Sequence, residues 1–405
     1  MLNKNIIIIS ICATLSFFFI ILSFYPNYWL NFFGFLFIPP QVPGFSDFWV
    51  HIKFLECKEL GLTLYENCPE VIFGSKYNTH PSLWIKIFEF LKLKNFFNLN
   101  FLVFFILMFY FSSLFYLSKF VLNFKDKVVF LLATFSTSNL LLVERLATDC
   151  VIFLLLFFLT TKIRFFIKYF LFFFAIMLKI YPVFALPIFC HNKKKFFIAI
   201  AICCFSLFFL WDDIVNINKN LVEFSRAYGY GSRSISKGIY LFLKHYNYLI
   251  IENYNILKNL IIFLFLSFFF LIFCSTFFKK KFKKLNEKDI FLKKKLELFL
   301  LGSSIFIFTF IFGSSADYRL IFLFFVLPYV LNFYRVKNKI VFLFCLFVSL
   351  NSLFFEKGYE YSLTYYVNVS FVYLCKLILF TYLSFTYGYV IKNYIFFKKN
   401  LLKNV

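Results

Sequence analysis

The residues able to do chemistry are few, and they stand at the edges of long apolar runs. Asp47 comes first, in the stretch Pro39-Pro40-Gln41-Val42-Pro43-Gly44-Phe45-Ser46-Asp47-Phe48-Trp49, with His51 close behind and His80 later in the same polar interruption. A carboxylate against an apolar, aromatic wall has its charged form disfavoured, which raises its pKa and suits it to act as a general base near neutral pH. The same residue also fits a solvated loop aspartate beside a tryptophan of an interfacial aromatic belt. A second group is Glu144-Arg145-Leu146-Ala147-Thr148-Asp149. There Arg145 and Asp149 would share a helical face at i,i+4, either as an ion pair sealing a turn or as contacts to a substrate. Asp149 in a first helical turn also suits the helix dipole.

Two further groups carry cations. In Lys179-Ile180-Tyr181-Pro182 the proline ends a helix, leaving Lys179 in its last turn. A lysine there either snorkels to the interface or meets a phosphate. In Gly313-Ser314-Ser315-Ala316-Asp317-Tyr318-Arg319, Asp317 is placed to cap the next helix. Arg319 is placed to pair with a carboxylate or to bind a phosphate bidentately. The stretch Arg226 to Arg233, rich in Tyr and Gly, either lines an opening for a sugar or polyanion or is an ordinary exposed loop.

What must position these residues is a bundle of membrane helices. Of 405 residues 62% are hydrophobic and only 15% charged, with 73 phenylalanines. Soluble domains are about half apolar and roughly a quarter charged. Residues 6–24 predict an anchor rather than a removed signal, because no small-residue cleavage site follows. Further spans are predicted at about 97–122, 128–143, 147–162, 165–180, 196–211, 257–278, 296–313, 318–334, 339–355 and 364–391. The piece 182–190 falls short of the roughly 20 residues a crossing needs, and is expected to cross as a truncated or broken helix. Lys and Arg cluster in alternate loops, so the net charge of +24 reads as the positive-inside rule rather than as nucleic-acid binding. The run 279–295 is basic enough to attract anionic lipid, though a topogenic loop suffices.

The expected architecture is therefore one all-α polytopic transmembrane domain of about twelve crossings, both termini cytoplasmic, in a bacterial plasma membrane. Loops 39–95 and 212–256 then face outward, and Trp84 to Lys94 predicts a helix lying in the interface. Cys57 and Cys68 share the first of these loops and could form a disulfide if it is periplasmic. The ten cysteines show no CxxC or Cys/His metal spacing, and a need for a divalent metal stays open.

Phosphate loops of the GxxxxGK[ST] kind, HExxH, GxSxG and a dinucleotide GxGxxG are all absent from the sequence. An early aspartate, an ER-x-x-x-D turn, a K-x-Y-P turn and a D-Y-R-L entry, in that order over roughly residues 40–335, resemble the GT-C superfamily of polytopic glycosyltransferases, most of all glycosyltransferase family 87. The resemblance implies a polyprenyl-phosphate-linked sugar donor and a glycan or glycolipid acceptor on the extracytoplasmic side, with mannosyl- and arabinofuranosyltransferases among the family's members. It implies that Asp47 is the base. It implies that Glu144, Arg145, Asp149, Lys179, Tyr181 and Arg319 contact substrate, and Asp317 and His80 are further candidates for substrate contact. Where the family often has Gly-Asn after Glu-Arg, this chain has Leu146-Ala147, which leaves the sugar open. Apart from the lipid-linked donor no cofactor is assigned, and a divalent metal stays open. The rival class is a multi-span transporter or lipid-linked-sugar flippase, which would carry ionisable residues near the middle of its spans.

Overall fold

A computed structural model describes residues 2–63, 65, 68, 69, 80–93, 96–220, 229–245, 253–278, 291–313, 315–355 and 362–401. Arg226, Tyr228, Lys94 and positions 279–290 lie outside the described residues, as do the side chains of Asp317 and Tyr318. The described chain is all-α apart from one pair of two-residue strands. Five helices are long and apolar enough to cross a membrane, or up to seven if each of two bent helix pairs is one span. The chain divides into two compact units, described separately below.

The first unit comprises residues 1–116, 139–183 and 201–222. Its first helix, α1 (Leu2–Ser23), is nearly continuous Ile, Phe and Leu, and Pro26 opens α2 (Pro26–Phe35) at a position where its missing N–H goes unneeded. Phe19 of α1 stacks on Phe33 of α2 and on Phe111 of α5 (Phe96–Ser118). Between them lie two helices, α3 (Ser46–Glu59) and α4 (Leu83–Phe90), packed on each other through Phe48, His51, Trp84 and Phe88. Position α4 falls within the interfacial helix expected from Trp84 to Lys94. Helix α3 has no counterpart in the sequence reading. Cys57 of α3 is disulfide-bonded to Cys68.

Downstream, the stretch expected as a span at 128–143 is a bent pair, α6 (Phe124–Thr134) and α7 (Thr137–Arg145), at 45° to each other. Then α8 (Thr148–Leu159) and α9 (Phe165–Leu178) pack against each other, and a 3-10 helix follows at Tyr181–Phe189. At about 2 Å rise per residue that segment reaches roughly 18 Å, well short of a bilayer's apolar core. Helix α10 (Lys193–Phe209) and α11 (Trp211–Asn220) continue from it. Asp213 of α11 holds the chain between α3 and α4, accepting from the Tyr65 hydroxyl at 2.5 Å and from the Ser82 amide at 3.0 Å.

The second unit comprises residues 117–138, 184–200 and 223–405. Its strands β1 (Gly229–Tyr230) and β2 (Ser315–Ala316) pair antiparallel, and α12 (Ser232–His245) starts directly after β1. Gly231 between them has φ +101°, and a Cβ there would lie 2.3 Å from the Gly313 carbonyl oxygen, so only glycine fits. Of α13 (Tyr254–Phe277) 11% is buried, against 83% of α14 (Leu292–Phe312). The first thus presents Phe and Leu outward, as a lipid-facing helix does, while the second is the unit's core. Helices α15 (Leu323–Phe333) and α17 (Leu363–Leu401) pack on α14, and α16 (Val336–Leu350) packs on α17.

Candidate functional site

The polar cluster of the first unit is built on a helix break. Helix α7 stops at Arg145 because Leu146 turns left-handed, with φ +44°. The Leu146 N–H then reaches back to the Val143 carbonyl and the Ala147 N–H to the Leu142 carbonyl. This is a Schellman ending with leucine where glycine is usual. Full burial of the Leu146 side chain compensates for the unfavourable backbone. Helix α8 starts afresh from Ala147, so Arg145 and Asp149 do not share one helical face. The i,i+4 expectation fails at this point because the left-handed residue resets the register.

Starting α8 anew puts Asp149 in its first turn, where the helix dipole favours a carboxylate. Its side chain is fully buried and both oxygens are engaged: Oδ2 receives Lys179 Nζ and Oδ1 receives the Tyr181 hydroxyl, each at 2.5 Å. Lys179 is the residue on which α9 ends, in extended conformation, as the sequence expected of a helix stopped before Pro182. The ER-x-x-x-D and K-x-Y-P turns thus meet, and each buried charge has an opposite partner. The preceding carbonyl, that of Leu178, takes the Trp84 indole N–H at 2.9 Å, which fixes α4 to the same corner.

Glu144 is likewise fully buried. Its Oε1 accepts the Gln41 amide at 2.7 Å, its Oε2 pairs with Arg145 Nε at 2.8 Å, and its main-chain carbonyl accepts the Phe45 amide at 2.9 Å. Arg145 also donates Nη2 to the Pro39 carbonyl at 3.3 Å. No described residue partners Nη1 of Arg145, whose side chain keeps 21% of its exposure.

Asp47 differs from both of these acids. It lies in the first turn of α3, half-buried, and no described residue hydrogen-bonds its carboxylate. Burial raises its pKa to about 6; Arg145 and Lys179 pull it down and Asp149 pushes it up, less strongly than burial does. One turn further along α3, His51 is fully buried and neither ring nitrogen has a hydrogen-bond partner among the described residues. Its ring stacks on Trp84 (centroids 5.4 Å apart, 12° between planes) and meets His80 edge-on at 4.9 Å. Burial, helped by Lys179, lowers the His51 pKa to about 3, so the imidazole is neutral.

The structure therefore brings together Asp47, Glu144, Arg145, Asp149, Lys179 and Tyr181, with His80 reaching the group through His51. Asp317 and Arg319 belong to the second unit, on a 3-10 helix at Asp317–Phe322. His51 stands with Asp47 in the sequence as part of the same candidate group, whereas Trp84 and the Asp213 anchor were not singled out as site residues. Among the described residues no group of three His, Cys, Asp or Glu side chains stands together as a metal site would need. No known protein family, no curated protein and no solved structure matches the chain.

Proposed function

We propose that the protein is an integral membrane glycosyltransferase that moves a sugar from a polyprenyl-phosphate donor to a glycan or glycolipid acceptor. Asp47 is its base and the reaction inverts the anomeric carbon. One observation carries this reading: of the three carboxylates in the cluster, Asp149 and Glu144 have both oxygens engaged by protein donors. Asp47 alone is half-exposed, without a hydrogen-bond partner among the described residues, and has a pKa of about 6. A base poised near the working pH is what proton removal from a sugar hydroxyl requires.

In the reaction, the acceptor O–H proton passes to the Asp47 carboxylate and the acceptor oxygen bonds to the anomeric carbon. The bond from that carbon to the phosphate oxygen breaks, and the polyprenyl phosphate leaves with the electron pair. Arg145 and Lys179 supply the positive field for that leaving group. Each is held in place by an acid on its own element or a neighbouring one. The resemblance to glycosyltransferase family 87 counts Arg319, of the second unit, among the substrate contacts.

The site is assigned to the extracytoplasmic face of a bacterial plasma membrane. The Cys57–Cys68 disulfide in the same unit supports this, because such bonds persist in oxidising compartments. So does the clustering of lysines in the alternate loops. About twelve crossings follow if the three shorter apolar helices, the 3-10 segment Tyr181–Phe189 and α16 cross as well as the seven candidate spans.

The test is transfer by purified protein in liposomes, given radiolabelled polyprenyl-phosphate sugars and an envelope lipid acceptor. Wild type is expected to use one donor, and Asp47→Asn to lose on the order of 10³-fold in turnover while still binding it. Substrate crossing the bilayer with no transfer from any donor would establish the transporter instead.

A further inference from the structure

We infer that Glu144 is a positioning residue: its carboxylate and main-chain carbonyl latch the 39–45 segment to the end of α7 and so set where Asp47 stands. The inference rests on Asp47 acting as the base. The segment contains Pro39, Pro40 and Pro43, which have no N–H to give. Two of the donors it does have go to this one residue, Gln41 N–H to Oε1 and Phe45 N–H to the carbonyl, from 103 positions away in the first case. Arg145 closes the clasp from the other side by donating to the Pro39 carbonyl.

The latch reaches Asp47 through a single peptide. On its amide side Phe45 is bonded to Glu144. On its carbonyl side it accepts the Phe48 N–H at 3.0 Å and the Trp49 N–H at 3.3 Å, which is the first turn of α3. Phe45 has φ +63°, and α3 has no side-chain cap at its start. The Glu144 carbonyl holds the amide of the residue before the helix and so fixes where the helix begins, while the Phe48 and Trp49 amides go to the Phe45 carbonyl. The back of the segment is fixed too. The Phe45 ring meets Trp29 at 5.2 Å, and a Cβ on Gly44 would come 2.9 Å from the same indole. Held between Glu144 and Trp29, the helix start has little room to move. A displacement of about 1 Å at a reacting group can lower a rate on the order of 10²-fold.

The experiment joins amide hydrogen exchange with kinetics for wild type, Glu144→Gln and Glu144→Ala in nanodiscs. In Glu144→Ala, peptides covering 41–48 should exchange at least about tenfold faster, with turnover down on the order of 10²-fold and donor KM within about twofold. Glu144→Gln keeps an acceptor for Gln41 and should recover most of both. If Glu144→Ala fails to fold, Gln41→Pro removes the same donor from the opposite side and should raise exchange at 44–48 in the same way. Unchanged exchange in Glu144→Ala, which keeps the main-chain carbonyl but not the carboxylate, overturns the carboxylate's part in the latch and with it Glu144 as a positioning side chain. A raised donor KM with turnover kept overturns it in favour of a substrate contact. If wild type transfers no sugar at all, it is the glycosyltransferase reading that fails, and the exchange comparison still decides whether the latch exists.

Discussion

The start of α3 in the first unit and the start of α12 in the second are both polar helix beginnings buried among aromatic rings, yet they use their polar groups in opposite ways. At α12 most of the buried polar groups go to backbone carbonyls, Arg233 Nε being an exception. The Tyr230 hydroxyl donates to Phe306 at 2.6 Å, Ser232 to Ile311 at 2.5 Å, Ser236 to Ser232 at 2.7 Å, and Lys376 to Gly229 at 2.7 Å. At α3 the Asp47 carboxylate and both His51 nitrogens have no such bond among the described residues. A satisfied buried group is worth about 1 kcal/mol and an unsatisfied one costs about 1–3. The cluster at α12 therefore reads as cohesion. The start of α3 holds unspent hydrogen-bonding capacity, which a substrate can use.

The difference between the regions predicts what their lysines do. Lys179→Met takes the lysine partner from the buried Asp149 carboxylate, and should destabilise the protein by about 3–5 kcal/mol as well as abolish transfer. Lys376→Met removes a bond to a neutral carbonyl and should cost less, about 1.5–3 kcal/mol, with transfer by the folded fraction retained. Denaturant unfolding in detergent, with specific activity measured on the folded fraction, checks both. The comparison breaks if the Lys376 variant folds and is inactive.

The rate profile sharpens the contrast further. A base with a pKa raised to about 6 should make kcat/KM rise about tenfold per pH unit below that value and level off above it. Since folding raises this carboxyl above its unfolded value of 3.8, the folded state holds the extra proton between those two pH values. Stability contributed by Asp47 therefore falls as pH rises through that window, and Asp47→Asn should remove the fall. A profile that stays flat from pH 5 to 8 would move the base elsewhere.

How much of this was legible beforehand varies by link. The apolar runs marked most helices, because length and hydropathy are local. The polar turns were also visible as interruptions. The meeting of Asp149 with Lys179 and Tyr181 was not, since it depends on how α8 and α9 pack. Helix α3 escaped notice because SDFWVHIKFLECKE mixes charged and apolar residues without a clear period and begins after Phe45, which is no capping residue. The split between Arg145 and Asp149 turned on one backbone angle at Leu146, a residue type that does not announce a left-handed turn. The Cys57–Cys68 pairing was open as soon as the two were placed in one loop, and its partner choice needed only that placement.

The smallest expected effect tests the unspent imidazole by itself. His51 has a pKa lowered to about 3 against 6.5 unfolded, so between those values the unfolded chain binds the proton that the folded chain refuses. Its contribution to stability is complete above pH 6.5 and is lost as pH falls toward 3. His51→Phe keeps a ring to stack on Trp84 and removes both the titration and the two unsatisfied nitrogens. The variant should be as stable as wild type at pH 7 or slightly more so, and should lose less stability on going to pH 5. If the nitrogens serve only the fold through a bound water, the variant is instead less stable at pH 7. If they serve a substrate, stability is kept and acceptor KM rises. Measured side by side, unfolding and KM separate these cases, because a hydrogen bond to water inside the protein and one to a sugar hydroxyl have the same chemistry but are lost in different experiments.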